Sequence, residues 1–209
     1  MKKPFFVAVI VLLSSSVYGQ QIQRFDEKRL DSLRTELDIL FLKDQTFRRI
    51  YLQAEEVLGK DSYEIEYFWE VVEAQDKILE KQAVHIIDSY GWLGISQVGR
   101  RANTALWAVL QHSSYASKKK YAPMLKESVL KNESQPQHYA RLIDRMLINN
   151  GEPQLYGTQI DYESAENPIF FSIQEPELIN QRRAEIGLPD IQQFAKQRGI
   201  EWNVHQKKK

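Results

Sequence analysis

Three charged residues stand where helical periodicity calls for apolar ones. Asp44 and Arg48 fall inside a stripe that runs through Leu37, Leu40, Phe41 and Tyr51, and Asp76 falls inside a second stripe between Val72 and Leu79. At about 100° per residue Asp44 and Arg48 project onto one arc, and a spacing of four lets them pair. A charge in an apolar seam costs several kcal/mol unless it is paired or hydrogen-bonded. Two readings account for these positions. In one, Arg48 bridges Asp44 and Asp76 across two packed helices as a structural network that sets their register. In the other, the helices line a polar pocket in which a carboxylate serves as acid, base or ligand anchor.

The pair Gln111-His112 closes an apolar segment, "RANTALWAVLQH". His112 is the candidate general base, with Asp44 or Asp76 as its orienting partner and Arg48 available for an anionic group. A lone histidine in that place also serves as a core residue bonded to a backbone carbonyl. The chain has neither HExxH nor a repeated ExxH, and it has no cysteine, so neither a metal nor a cofactor is expected. No serine occupies a nucleophile-elbow setting. The glycines of "GWLGISQVG" fit neither phosphate-loop nor dinucleotide spacing, so serine-hydrolase and nucleotide-fold readings fall away.

A third group lies in "GEPQLYGTQIDYE", Gly151 to Glu163. Read as a strand over 154–160, it sends Gln154, Tyr156 and Thr158 to one face and Gly157 and Gln159 to the other. That makes "YGTQ" a polar wall against the end of a helix bundle near His112. The competing reading is a hairpin whose glutamines bond to local backbone. Asp144 and Arg145 lie more than about 120° from the centre of their helix's apolar arc, so periodicity makes them a solvated pair. Gln181-Arg182-Arg183 reads as an exposed helix face, although adjacent arginines also grip phosphate or carboxylate.

The elements that must carry these residues are mostly helical. Leu30, Leu33, Leu37, Leu40, Phe41, Phe47, Ile50, Tyr51 and Ala54 repeat with a helical period until Gly59. Phe68, Trp69, Val72, Leu79, Ala83, Ile86, Ile87 and Tyr90 make a second helix ending at Gly91, antiparallel to the first. Residues 101–112 are apolar nearly all round and predict a central buried helix. A shorter helix is expected around Tyr121 to Leu130, and another through Tyr139, Leu142, Ile143, Met146 and Leu147 to Gly151. "QLYGTQI" and "PIFFSI" predict a small hairpin, and two short helices follow, separated by Gly187-Leu188-Pro189. The expected fold class is mostly α: a single-domain helical bundle with a small β-hairpin near the C-terminal third.

The ends bound location and partners. Residues 1–19 have two lysines, an apolar run of about nine residues from Phe5 to Leu13, and small residues leading to Gly19, the layout of a cleaved secretory leader. Such a run is well short of the roughly 20 residues a membrane span needs, so no span is expected after cleavage. Without the leader the chain has 190 residues and a formal charge of −2, which gives no electrostatic ground for nucleic acid as partner. Residues 20–36 are expected as a helical lead-in, 37–200 as one domain and 201–209 as a basic tail. The expected location is periplasmic or secreted.

Taken in order, "DQTFRR", "YGWLG", "ALWAVLQH", "LIDR", "GEPQLYGTQ" and "INQRRAEIGL" resemble the bacterial family known as domain of unknown function 6624, over about Leu37 to Phe194. The run Gly151, Gln154, Tyr156, Gly157, Thr158, Gln159 carries the resemblance most specifically, followed by Gln111-His112. Leu93 departs from it, standing where proline usually follows "YGW". The resemblance implies a shared architecture and a shared site without naming its chemistry, and it draws in Asp44, Arg48, His112, Asp144 and Arg145, which match motif positions. The expectation is a polar pocket for a small polar or anionic molecule. Catalysis of hydrolysis or group transfer would fall to His112 with Asp44 or Asp76. Arg48, Gln111, Asp144, Arg145, Gln154, Tyr156, Thr158 and Gln159 are the expected ligand contacts. The alternative is a non-catalytic envelope interaction module with a buried polar network, meeting its partner through Tyr162, Phe170 and Phe171.

Overall fold

The computed structural model describes residues 26–162 and 167–206. The leader expected over 1–19, and positions 207–209 of the basic tail, lie outside the described residues. Among the described residues, seven α-helices and one two-stranded hairpin make up the fold.

Helix α1 spans Glu27–Leu58, and so runs unbroken across position 36. The Asp26 side chain accepts from Arg29 N at its start, and Gly59 N–H closes it on Glu55 O. Helix α2 spans Tyr63–Tyr90 and is capped in the same way by Ser62 and Gly91. These caps take up backbone donors and acceptors that a helix end leaves unmatched.

The segment read as central and buried is the main part of α3, Ile95–His112. It contacts α1, α2, α4 (Tyr115–Leu130) and α5 (Pro136–Asn149). Leu106 and Leu110 of α3, Leu37 of α1, Leu125 of α4 and Leu142 of α5 are all fully buried in this core. Each such side chain contributes roughly 1.5–3 kcal/mol. Leu93, at the point of departure from the family pattern, is also fully buried, and its carbonyl accepts from Asn103 Nδ2 at 2.8 Å.

After α5 the helical pattern stops as expected, but the hairpin is shorter than its sequence suggested. β1, Ile160–Asp161, pairs antiparallel with β2, Ile169–Phe170, with Ile160 opposite Phe170. Residues 154–159 do not form the strand that alternation predicts. They make a crook, with a single parallel bridge between Gln154 and Ile173. The reason is local: Gln154 still exchanges backbone hydrogen bonds with Ser172 and Gln174, but side chains take the backbone groups of 155–158, and Gly157 turns the crook with a φ of 68°.

A 3-10 turn at Pro176–Leu178 leads into α6, Ile179–Glu185, and α7 follows at Ile191–Gln197. Ile179 and Ile191 press on Gly157, where an added Cβ would sit 2.8 Å from Ile191 Cδ1. The approach that this glycine allows is therefore that of apolar side chains. Phe170 of β2 packs on Phe194 of α7 and on Trp202.

Candidate functional site

Asp144 is fully buried, which corrects its reading as a solvated residue. Its Oδ1 accepts from Leu155 N and Tyr156 N, both at 2.9 Å, and its Oδ2 accepts from Thr158 N and Oγ1, both at 2.8 Å. Burial raises the carboxyl above its usual range while these donors pull it back.

The carbonyls of the same crook are held from the other side. Arg182 Nε donates to Leu155 O at 3.0 Å, and Arg183 Nη1 donates to Tyr156 O at 2.5 Å. Arg183 also donates to Pro189 O at 2.7 Å and is only 2 % exposed, so the expected exposed face of "QRR" is corrected too. Periodicity misplaced these residues because it scores polarity, and a buried charge satisfied by peptide groups looks the same in one dimension as a solvated one.

Gln154 completes the crook. Its Nε2 donates to Gln159 O and Phe171 O, and its Oε1 accepts from Gln159 N, each at 2.9 Å. Its amide is therefore spent on local backbone, and Tyr156 packs edge-on against Tyr139 in the core. Gln154, Tyr156 and Asp144 are scaffold. What they position is Thr158 and Gln159.

Those two residues form one wall of a cleft of about 460 Å³. α1 contributes Gln45 and Arg48, and α3 contributes Trp107, Gln111 and His112. α5 contributes Arg141 and Arg145, one turn apart on the same face. Ile160, Tyr162, Phe194 and Arg198 also line it. Of the sequence-derived residues, Arg48, Gln111, His112, Arg145, Thr158 and Gln159 meet here. Arg141, Trp107, Phe194 and Arg198 were missed, though the four-residue spacing of Arg141 and Arg145 was visible in "ARLIDRM".

Trp107 and Gln111 are fixed by each other and by α5. The Trp107 ring stacks on His138, with centroids 4.1 Å apart. With its amide oxygen turned toward donors, Gln111 accepts from Trp107 Nε1 at 2.6 Å and from Leu142 N at 3.0 Å.

Behind Arg48 the expected network forms. Arg48 Nη2 donates to Asp76 Oδ2 at 2.7 Å, and Nη1 donates to Asp44 O at 3.0 Å while lying 3.8 Å from Asp44 Oδ1. Asp44 is 1 % exposed, and burial pushes its carboxyl up to about 6 against the pull of Gln45 and Arg48. Asp44 and Asp76 stand behind the cleft wall. Neither is hydrogen-bonded to His112, so the expected imidazole–carboxylate pair is replaced by a carboxylate–guanidinium one. Its cause is position: one turn along α1 from Asp44, Arg48 comes between the carboxylates and the cleft.

The cleft itself is cationic. Four guanidinium groups line it, and no carboxylate does so among the described residues. Arg141 and Arg145 have neither a hydrogen bond nor an ion pair with any described residue. Burial lowers both of their pKa values, and the cationic neighbours Arg198 and Arg141, respectively, add to the effect. His112 is driven down to about 3 by burial, then by Arg48, Arg145 and Lys118, so it is a neutral imidazole near pH 7.

Among the described residues no group of three or more His, Asp or Glu side chains is placed to hold a metal. No described helix is long and apolar enough to cross a membrane.

Compared with known protein families, residues 32–204 match a family of unknown function, domain of unknown function 6624. The chain belongs to that family. No curated protein and no solved structure matches it. In this 6624 family member, the segments "LIDR", "GEPQLYGTQ" and "INQRR" are one physical unit: an acidic side chain and two arginines that grip the two sides of one backbone crook.

Proposed function

We propose that this is an exported protein that binds a small anionic molecule in the cleft between α1, α3, α5 and the 154–160 crook. The observation that carries the reading is the pair Arg141 and Arg145, half-buried, facing the cleft and unpaired among the described residues. Two guanidinium groups held near each other and away from water are unfavourable unless an anion completes them. Their planar forks suit phosphate and carboxylate oxygens.

Calorimetric titration with phosphate, sulfate and citrate tests the reading. Binding is expected, with Arg145→Gln and Arg141→Gln each weakening it by about tenfold or more. No heat and no rise in melting temperature with any of the three would refute it.

Hydrolysis or group transfer is a second reading, favoured by the neutral His112 imidazole on the cleft wall. A panel of phosphate and carboxylate esters turned over by the parent and not by His112→Ala would support it. A non-catalytic interaction module accounts for the Asp44–Arg48–Asp76 network but leaves Arg141 and Arg145 unexplained.

A further inference from the structure

The cleft differs along its length. Its inner part is polar and closed, with Gln111 buried and the Arg48 side chain 16 % exposed. Its outer part is aromatic and open, where Ile160 and Phe194 stand beside Tyr162, which is 60 % exposed, and Arg198 lies at the surface. The charges run in the same order. Arg145 is influenced by Arg48 and Arg141, and Arg141 in turn by Arg198 and by Tyr162.

The inner donors come from separate elements: Arg48 from α1, His112 from α3 and Arg145 from α5. A carboxylate presents two oxygens in one plane, whereas a tetrahedral oxyanion presents oxygens in several directions and can be met from three helices at once. The volume of about 460 Å³ lies within the range of sites for whole small organic molecules and leaves ample room beyond a bare inorganic anion. The outer wall supplies the apolar surface that such a remainder would bury.

We infer that the ligand is a phosphate-type ester carrying a flat apolar group, its oxyanion among Arg48, His112 and the Arg141–Arg145 pair and its ring against Ile160, Tyr162 and Phe194. The inference rests on the anion-binding reading and adds the shape and the second half of the molecule. Recognition is then divided: the inner charges hold any tetrahedral oxyanion, and the outer wall selects among esters.

The test is titration of the full protein with inorganic phosphate, phenyl phosphate and benzoate, repeated on Tyr162→Ala and Phe194→Leu. Phenyl phosphate is expected to bind at least about tenfold more tightly than phosphate, from the ring area it buries. That preference should shrink in at least one of the two variants while phosphate affinity stays. Equal affinity for phosphate and phenyl phosphate overturns the inference and leaves the anion reading standing, and so does a preference that survives both substitutions. Benzoate binding as tightly as phenyl phosphate overturns the tetrahedral oxyanion. Failure of all three probes to bind removes the anion reading itself.

Discussion

Asp144 and Arg145 are neighbours on α5 and face opposite tasks: the Asp144 carboxylate takes four hydrogen bonds from residues 155–158, while Arg145 looks into the cleft unpaired by any described residue. One helix thus anchors the crook with one residue and offers charge with the next. Asp144→Ala should strip four donors of their acceptor and cost about 3–5 kcal/mol, a fall in melting temperature of roughly 6–20 °C. Arg145→Gln should leave the melting temperature unchanged or raise it, while anion binding weakens by about tenfold or more. Equal destabilisation by both substitutions would contradict the division of labour.

Asp44 carries a pH signature. Its folded pKa is raised from 3.8 to about 6, so its contribution to stability is full below its unfolded pKa and is lost as pH rises through about 6. Asp44→Asn, which cannot ionise, should therefore match the parent near pH 4 and exceed it above pH 6 by up to about 3 kcal/mol. Melting curves at pH 4, 5, 6 and 7.5 check this. A variant that loses ground to the parent as pH rises would reverse the sign.

His112 and His138 are both lowered from 6.5 to about 3, chiefly by burial. For a base with a depressed folded pKa, stability is full above the unfolded pKa and falls as pH drops from 6.5 toward 3. Each histidine adds about 1.4 kcal/mol of loss per pH unit in that window. His112→Gln should flatten the slope by about that amount. In the complex, an anion beside His112 offsets the cationic neighbours and raises its pKa. Sulfate, whose own charge does not change between pH 5 and 7, should therefore bind more tightly in acid, and His112→Gln should reduce this trend. Asp44 titrates in the same window, so the Asp44→Asn background isolates the histidine.

Gly157 has a φ of 68° and lies against Ile179 and Ile191, where a Cβ would approach them at 3.0 and 2.8 Å. Gly157→Ala meets both a left-handed backbone and an occupied space. It should cost about 2 kcal/mol or more, measured by denaturant unfolding, and should weaken anion binding by displacing Thr158. A silent Gly157→Ala would mean that the crook tolerates another path.

The helices were legible one by one. Leu33, Leu37 and Leu40 in α1, and Leu79, Ile86 and Ile87 in α2, are buried as their period predicts, because helix faces repeat on a local scale that one dimension records. Gly59 and Gly91 end those helices as expected. The polar positions Asp44, Arg48 and Asp76 were also found by their violation of that period, since a charge set on the apolar arc of its helix stands out, whereas Asp144, off that arc, does not.

The crook was not legible in the same way. Alternation assigned 154–160 to a strand because it assumes that backbone groups are met by a neighbouring strand, and here that holds only at the two ends, while Asp144, Arg182 and Arg183 meet the groups of 155–158. Those partners lie as many as 27 residues away, and no local pattern pairs them. Sequence by itself determined the helical class, the ends of α1 and α2 at Gly59 and Gly91, and the family, since periodicity, glycine stops and motif order are local properties of the chain, whereas α3 and α4 each begin about six residues earlier than their apolar runs suggested. Only the tertiary structure decided that Asp144 and Arg183 are buried clamps and that Arg141, Arg145, Arg48 and His112 share one cleft, because burial and charge proximity arise only when distant segments are packed together.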